Sequence, residues 1–249
     1  MTQATKNAVI FGVGARNGVG AELCHQAAAR GFHVFVNGRT EEKITAIAKA
    51  INEDGGEATP LLADVTDDLQ VKNALVKVAN DARPLELAVY NAGNNRPSPF
   101  LDVTPDVFEQ MWRVICFGGF LTAQATLKLM LEQQDKATRQ SFMFTGASGS
   151  LRGKANFAAF AAGKGALRML AQSLAREFGP QGIHVAHVII DGAINGHILQ
   201  TNYAGYLDKL GEDGSLDVSA IAETFMMLHD QPRTAWTQEI DLRPFKETF

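Results

Sequence analysis

The stretch Gly14-Ala15-Arg16-Asn17-Gly18-Val19-Gly20 follows an apolar run, Ala8-Val9-Ile10-Phe11, and opens a helical pattern, Ala21-Glu22-Leu23-Cys24. Strand, glycine-rich turn and helix together form a phosphate-binding arrangement. Glycine tolerates the positive φ of a tight turn and lets backbone N–H groups approach an anion with no Cβ in the way. The helix N-terminus adds partial positive charge aimed at a pyrophosphate. Position within a strand–turn–helix unit is what separates such a turn from an ordinary glycine turn.

Outward from this turn, strands and helices alternate almost to the end of the 249 residues. Strands are expected near 8–13, 32–36, 59–63, 85–89, 141–145, 184–190 and 239–242. Helices are expected over 18–30, 40–53 (capped by Thr40), 66–82 (capped by Thr66), 105–134, 156–178 (capped by Asn156) and 217–228. Short apolar strands alternating with helices predict one α/β domain, a doubly wound parallel sheet of about seven strands covered on both faces. The first four strands fit the order 3-2-1-4, with the switch point between strands one and four. Ligands bind at such a switch point, at the carboxyl ends of the strands. Gly14, Asn91 and Thr145 all follow carboxyl ends and should face one site. The segment 191–215 shows no clear pattern and is a candidate lid, or else a surface loop.

Composition narrows the function classes. The chain is 46% hydrophobic and 20% charged, which suits one large buried core. Its net charge of −4 gives no global attraction to nucleic acid. Cys24 and Cys116 lie in apolar helical patterns and read as buried hydrophobes in a reducing compartment, with no metal-ligand cluster. The polar start Met1–Lys6 runs straight into the first strand, so no signal peptide is expected, and no apolar run looks long enough to span a membrane. A cytoplasmic enzyme or binding protein acting on a small molecule is the resulting expectation.

Four features now combine in order and spacing: Gly14-xxx-Gly18-x-Gly20, Asp64-Val65, Asn91-Ala92-Gly93 and Lys164. Together they resemble the short-chain dehydrogenases/reductases, over nearly the whole chain. The resemblance implies a single Rossmann domain, a nicotinamide cofactor and a homodimer or homotetramer. It implies that Asp64 hydrogen-bonds the adenine and that Asn91-Ala92-Gly93 supports the cofactor site. Lys164 would hold the nicotinamide ribose, and Ile194 would contact the nicotinamide carboxamide through its backbone. The helix that would pack on a symmetry mate is the Ala-rich one, 158–175.

An NAD site usually carries an acid at the end of the second strand. Here Gly38 and Arg39 stand there, and a guanidinium suits a 2′-phosphate where a carboxylate would repel it. Arg16 offers a second cation inside the turn. NADP is therefore expected in preference to NAD.

The catalytic half departs from the family, whose usual set is Asn, Ser, Tyr and Lys with Tyr four residues before Lys. Phe160 stands at the Tyr position, Ala147 at the Ser position with Ser148 one place on, and Ile115 near the Asn position. The wider spacing of enoyl reductases points to Phe157. Only Lys164 clearly survives, with Ser148 available through a one-residue shift. Tyr203 and Tyr206 of the candidate lid are conceivable surrogate acids, though packing explains them more simply. Asn94 and Asn95 serve a loop or touch substrate, Asp191 fixes a loop or else acts as a catalytic carboxylate, and His184 and His187 read as structural. Two functions stay open: an NADP-dependent oxidoreductase with a degenerate catalytic set and an apolar carbonyl, alcohol or enoyl substrate, or a non-catalytic dinucleotide-binding sensor or partner subunit.

Overall fold

A computed structural model describes residues 4–93, 95–133 and 138–248. Its centre is a seven-stranded parallel sheet. In chain order the strands are β1 (Lys6–Phe11), β2 (Phe32–Gly38), β3 (Glu57–Leu62), β4 (Leu85–Tyr90), β5 (Gln140–Thr145), β6 (Ile183–Ile190), the short β7 (Ile194–Asn195) and β8 (Leu216–Asp217), and β9 (Glu239–Leu242). The large sheet runs β3-β2-β1-β4-β5-β6-β9, and β7 pairs only with β8. The order 3-2-1-4 and the switch point between β1 and β4 are as the pattern predicts.

Burial explains the continuous apolar strands. Val9 and Phe11 join one core with Leu85, Ala88, Tyr90, Phe142 and Phe144, while Ala8, Ile10, Leu87, Val89 and Met143 join the other. Alternate side chains thus enter opposite layers, and both faces are covered. The first layer holds α3 (Asp68–Ala79), α4 (Pro105–Trp112), α5 (Gly118–Glu132) and α6 (Ala158–Phe178). The second holds α1 (Val19–Ala29), α2 (Glu41–Glu53) and α9 (Val218–Asp230).

The helix ends correct several expectations. Asp67, not Thr66, caps α3, its carboxylate accepting from the Gln70 N–H at 3.0 Å. Thr40 occupies the N-cap of α2 without a side-chain bond. Phe157, not Asn156, is the N-cap of α6. Asn156 instead takes a left-handed φ of 70°, and its carbonyl accepts from Ser98 N at 2.9 Å. That bond joins the loop after β4 to the loop after β5.

The long helix after β4 is not uniform. Residues Arg113–Phe117 form a π turn between α4 and α5. A π turn leaves carbonyls without their usual partners, and the buried Tyr90 hydroxyl donates to one of them, Val114 O. Cys116 lies in this turn and is only half-buried, unlike Cys24. By length and composition the whole stretch Pro105–Glu132 could cross a membrane, contrary to the expectation from the sequence. Its buried residues, Met111, Ile115, Leu121, Leu127 and Met130, belong to the sheet's core, which accounts for the apolar composition.

The candidate lid is more ordered than its sequence suggests. It contains α7 (His197–Asn202) and α8 (Ala204–Leu210), with β7 and β8 at its two ends. Residues 1–3, Asn94 and Gln134 lie outside the described residues, as do the expectations that fell on them.

Candidate functional site

At the switch point, β1 leads through Gly12 and Val13 into the glycine turn. The left-handed residue is Gly12, at φ 78°, two residues before the expected turn. A Cβ there would overlap the Ala92 backbone. Gly14 is exposed, and an added Cβ would meet nothing within 4 Å. Gly20 is tight: a Cβ would lie 2.9 Å from Asn91 Nδ2 and 3.2 Å from Val13 Cα. So Gly12 and Gly20 serve packing, whereas Gly14 leaves open space. Gly18 is the N-cap of α1 in an extended conformation, with no side-chain cap bond. Ala21 and Glu22 N–H donate to Gly18 O, and no side chain caps the start of α1, the end of a helix that favours anions.

Three strand ends are tied together by Asn91. Its N–H donates to Phe11 O at 3.0 Å and its Nδ2 to Gly12 O at 3.4 Å. Its Oδ1 accepts from the Thr145 hydroxyl at 3.1 Å. Asn91 thus joins the ends of β1 and β5, and Gly14 follows two residues after Gly12. Ala92 is buried and Gly93 is exposed.

Lys164 enters from α6. Its Nζ donates to Thr145 O at 2.7 Å, and a Cβ on Gly93 would stand 3.5 Å from it. The side chain is buried, and burial pushes its pKa down to about 8. An ammonium with that pKa releases a proton near neutral pH far more readily than a surface lysine does. Phe160 lies one helical turn earlier, its ring centre 5.9 Å from Nζ. It packs on Gly149, whose added Cβ would lie 3.0 Å from the ring. Phe157 meets Phe160 edge-on at 6.5 Å. Ser148 opens the short 3-10 turn Ser148–Ser150 directly after β5 and is partly exposed. Ile115 is fully buried, against Gly163 of α6.

On the other side of β1, β2 closes on Gly38. A Cβ here would lie 2.5 Å from Val13 O and 2.7 Å from Ile44 Cγ2, so the position has no room for an acid. Arg39 is 67% exposed, with its guanidinium 3.7 Å from the Asp64 carboxylate. Asp64 Oδ1 is also fixed by Thr66, through its N–H at 2.9 Å and its hydroxyl at 2.8 Å. Val65 is buried and Arg16 exposed. Asn17 reaches α7: its carbonyl accepts from His197 N at 3.1 Å, and its Nδ2 donates to Gln200 at 2.5 Å. Ile194, half-buried, holds β7 against β8. Tyr203 and Tyr206 are more than half exposed.

Two groupings escaped the sequence. Asp191 is buried at the end of β6, and its carboxylate accepts from Arg152 at 3.0 and 3.2 Å, with Arg243 at 3.8 Å. It does fix a loop, but by charge rather than by a local turn. His187 and Glu239 meet behind Gly146 (His187 Nδ1 to Glu239 Oε2, 3.0 Å). The only signal for either was a polar residue in an apolar strand.

Relatives agree with this architecture. The family described as short chain dehydrogenase matches residues 6–205. A short-chain dehydrogenase/reductase of Armillaria gallica is 31% identical over 186 residues, which span 74% of this chain and 70% of that protein. The crystal structure of a short-chain dehydrogenase from Rhodopseudomonas palustris superposes with a TM-score of 0.79 at 34% identity, over 96% of this chain and all of the other. A metagenomic short-chain oxidoreductase solved in complex with NADP has a TM-score of 0.80 at 21% identity, over 97% of this chain and 98% of its own. The chain belongs to the short-chain dehydrogenase/reductase family.

Proposed function

We propose that the protein is an NADP-dependent short-chain oxidoreductase acting on an apolar carbonyl, alcohol or enoyl compound. The observation that carries this reading is Lys164: a buried ammonium at the carboxyl ends of the strands, beside Gly93 and anchored on Thr145 O. Open space at Gly14 and the absence of a side-chain cap at the start of α1 support binding of a dinucleotide here.

In this reading Gly14, Arg16, Asn17, Gly18 and Val19 hold the pyrophosphate, and Gly20 lets the helix pack closely on Val13 and Asn91. Arg39 takes the 2′-phosphate, Asp64 and Val65 the adenine, and Asn91, Ala92, Gly93, Lys164 and Ile194 the nicotinamide end. The bound cofactor supplies or accepts the hydride. The missing acid at Gly38 and the cation at Arg39 support NADP over NAD, and the relative solved with NADP is consistent with it.

The chain's own residues then supply orientation and a proton. Phe160 lies four residues before Lys164, where the family has tyrosine, and a phenyl ring carries no transferable proton. In this reading Lys164 protonates a forming alkoxide, and Ser148, in the short turn after β5, is the second candidate donor. A positioned acid contributes about 10²–10⁴ in rate. A conjugate reduction asks less, because an enolate needs only electrostatic stabilisation and late protonation. Phe157, Phe160 and the exposed Leu151 bring apolar groups to this side, beside the exposed Arg152 and Lys154.

A homodimer or homotetramer fits the groove between α5 and α6, lined by Phe120, Leu127, Leu131, Leu170, Leu174 and Phe178. The unpaired thiol of Cys24 fits a reducing, cytoplasmic setting. The test is NADPH oxidation over a panel of carbonyl and enoyl compounds, beside Phe160→Tyr. Turnover by the wild type supports the reading. Tight binding without turnover, with activity gained in F160Y, would replace it by the non-catalytic alternative.

A further inference from the structure

Behind Lys164, a set of polar groups is assembled that the proposed chemistry does not use. His187 sits on β6, paired in register with Phe144 of β5 and Glu239 of β9. Its side chain is fully buried. Nδ1 lies 3.0 Å from Glu239 Oε2. Glu239 also accepts from Arg168, at 2.7 Å from Nε and 2.6 Å from the second guanidinium nitrogen. These bonds hold the Glu239 carboxyl below its usual range, so it is ionised and can only accept. His187 Nδ1 therefore carries the ring proton, and Nε2 presents a bare lone pair.

That lone pair is buried, with no partner among the described residues. It is aimed at Gly146, where a Cβ would overlap it. The Gly146 N–H is already spent on Val188 O at 2.7 Å. One residue back, Thr145 O receives the Lys164 ammonium. Lys164 and Arg168 are four residues apart in α6 and so share a helical face. An ammonium has three N–H donors, and the described hydrogen bonds of Lys164 use one. The charged groups that face His187 are Glu239 from β9 and Lys164 and Arg168 from α6.

We propose that His187 is a positioning residue for Lys164: its Nε2 accepts from a single water that in turn accepts an ammonium N–H, in the tautomer that Glu239 and Arg168 impose. This directs the remaining N–H toward the proposed cofactor site. It also satisfies a lone pair whose isolation in the interior would be costly. The inference rests on the role given to Lys164 above, but its test needs neither cofactor nor substrate.

The experiment is ¹⁵N NMR of the cofactor-free protein, labelled at lysine and histidine, titrated from pH 6 to 11. The expected result is an unprotonated Nε2 on His187 whose shift moves together with the Lys164 titration. His187→Leu, which removes the acceptor, should lower the Lys164 midpoint by about one pH unit, and His187→Gln should restore part of it. If His187→Leu does not fold, the wild-type titration alone decides. A protonated Nε2, or an Nε2 signal that stays still while Lys164 titrates, overturns the proposal. So does an unchanged Lys164 midpoint in a folded His187→Leu protein. Failure to bind NADPH would sink the cofactor reading and leave this result standing.

Discussion

Lowering the pH from 7.5 to 5.0 should destabilise the fold through its buried histidines. Burial is the largest cause in each case, pushing His187 down to about 4 and His229 down to about 3. Both are neutral in the folded chain, whereas an unfolded histidine titrates near 6.5. Depressed folded values mean that the stabilisation is complete above about pH 6.5 and is lost as pH falls toward 4 and 3. At pH 5.0 the unfolded state gains about 2 kcal/mol of proton binding per histidine relative to pH 7.5, and the folded state almost none. Two residues give about 4 kcal/mol, a large part of the 5–15 kcal/mol that domains usually possess. His33 and His184, also lowered by burial, act in the same direction. The lowered carboxylates titrate below this window, and Lys164 contributes only above about pH 7. Urea unfolding at the two pH values should show a midpoint lower by about 1–2 M at pH 5.0. His229→Asn keeps a partner for the Ser141 hydroxyl, 3.0 Å from His229 Nδ1, and removes one titrating group. It should cut the pH effect by about 2 kcal/mol. Equal stability at both pH values, or the same pH effect in His229→Asn as in the wild type, would refute the reasoning.

Arg39→Ala should weaken NADPH binding about 5–30-fold and leave NADH nearly unchanged, from about 1–2 kcal/mol for an exposed charge-assisted contact; titration calorimetry at two salt concentrations checks it. Gly38→Asp should lose stability, by about 1–3 kcal/mol of overpacking against Val13 O and Ile44, rather than gain NAD specificity; thermal unfolding beside cofactor titration separates the two. Tyr90→Phe strands the Val114 carbonyl in the π turn and should cost about 1–3 kcal/mol, a fall of some degrees in Tm by calorimetry. Lys164→Met should reduce turnover of any accepted substrate by about 10²-fold or more with the fold intact by circular dichroism.

The sheet order and the junction of the β1, β4 and β5 ends were legible in the sequence because their signals are local. A glycine turn between an apolar strand and a helix, repeated β-α alternation, and strand-end residues such as Asn91 and Thr145 are readable within windows of ten or so residues. Asp67 and Phe157 displaced the expected caps by a single residue, a shift that depends on loop geometry. The π turn was hidden because it needs Tyr90, 24 residues away, to satisfy Val114. The clusters around Asp191 and His187 were hidden for the same reason. Arg152 is 39 residues from Asp191, and Glu239 is 52 from His187. Only the parallel pairing of β6 with β9 brings the latter two together.

The most direct test of the central claim is a titration of the wild-type protein with NADPH and NADH at matched ionic strength. NADPH should bind, more tightly than NADH, and its affinity should fall as salt rises, because Arg39 and Arg16 are exposed cations screened by counterions. No binding of either, or tighter binding of NADH, would contradict the assignment of this site to NADP.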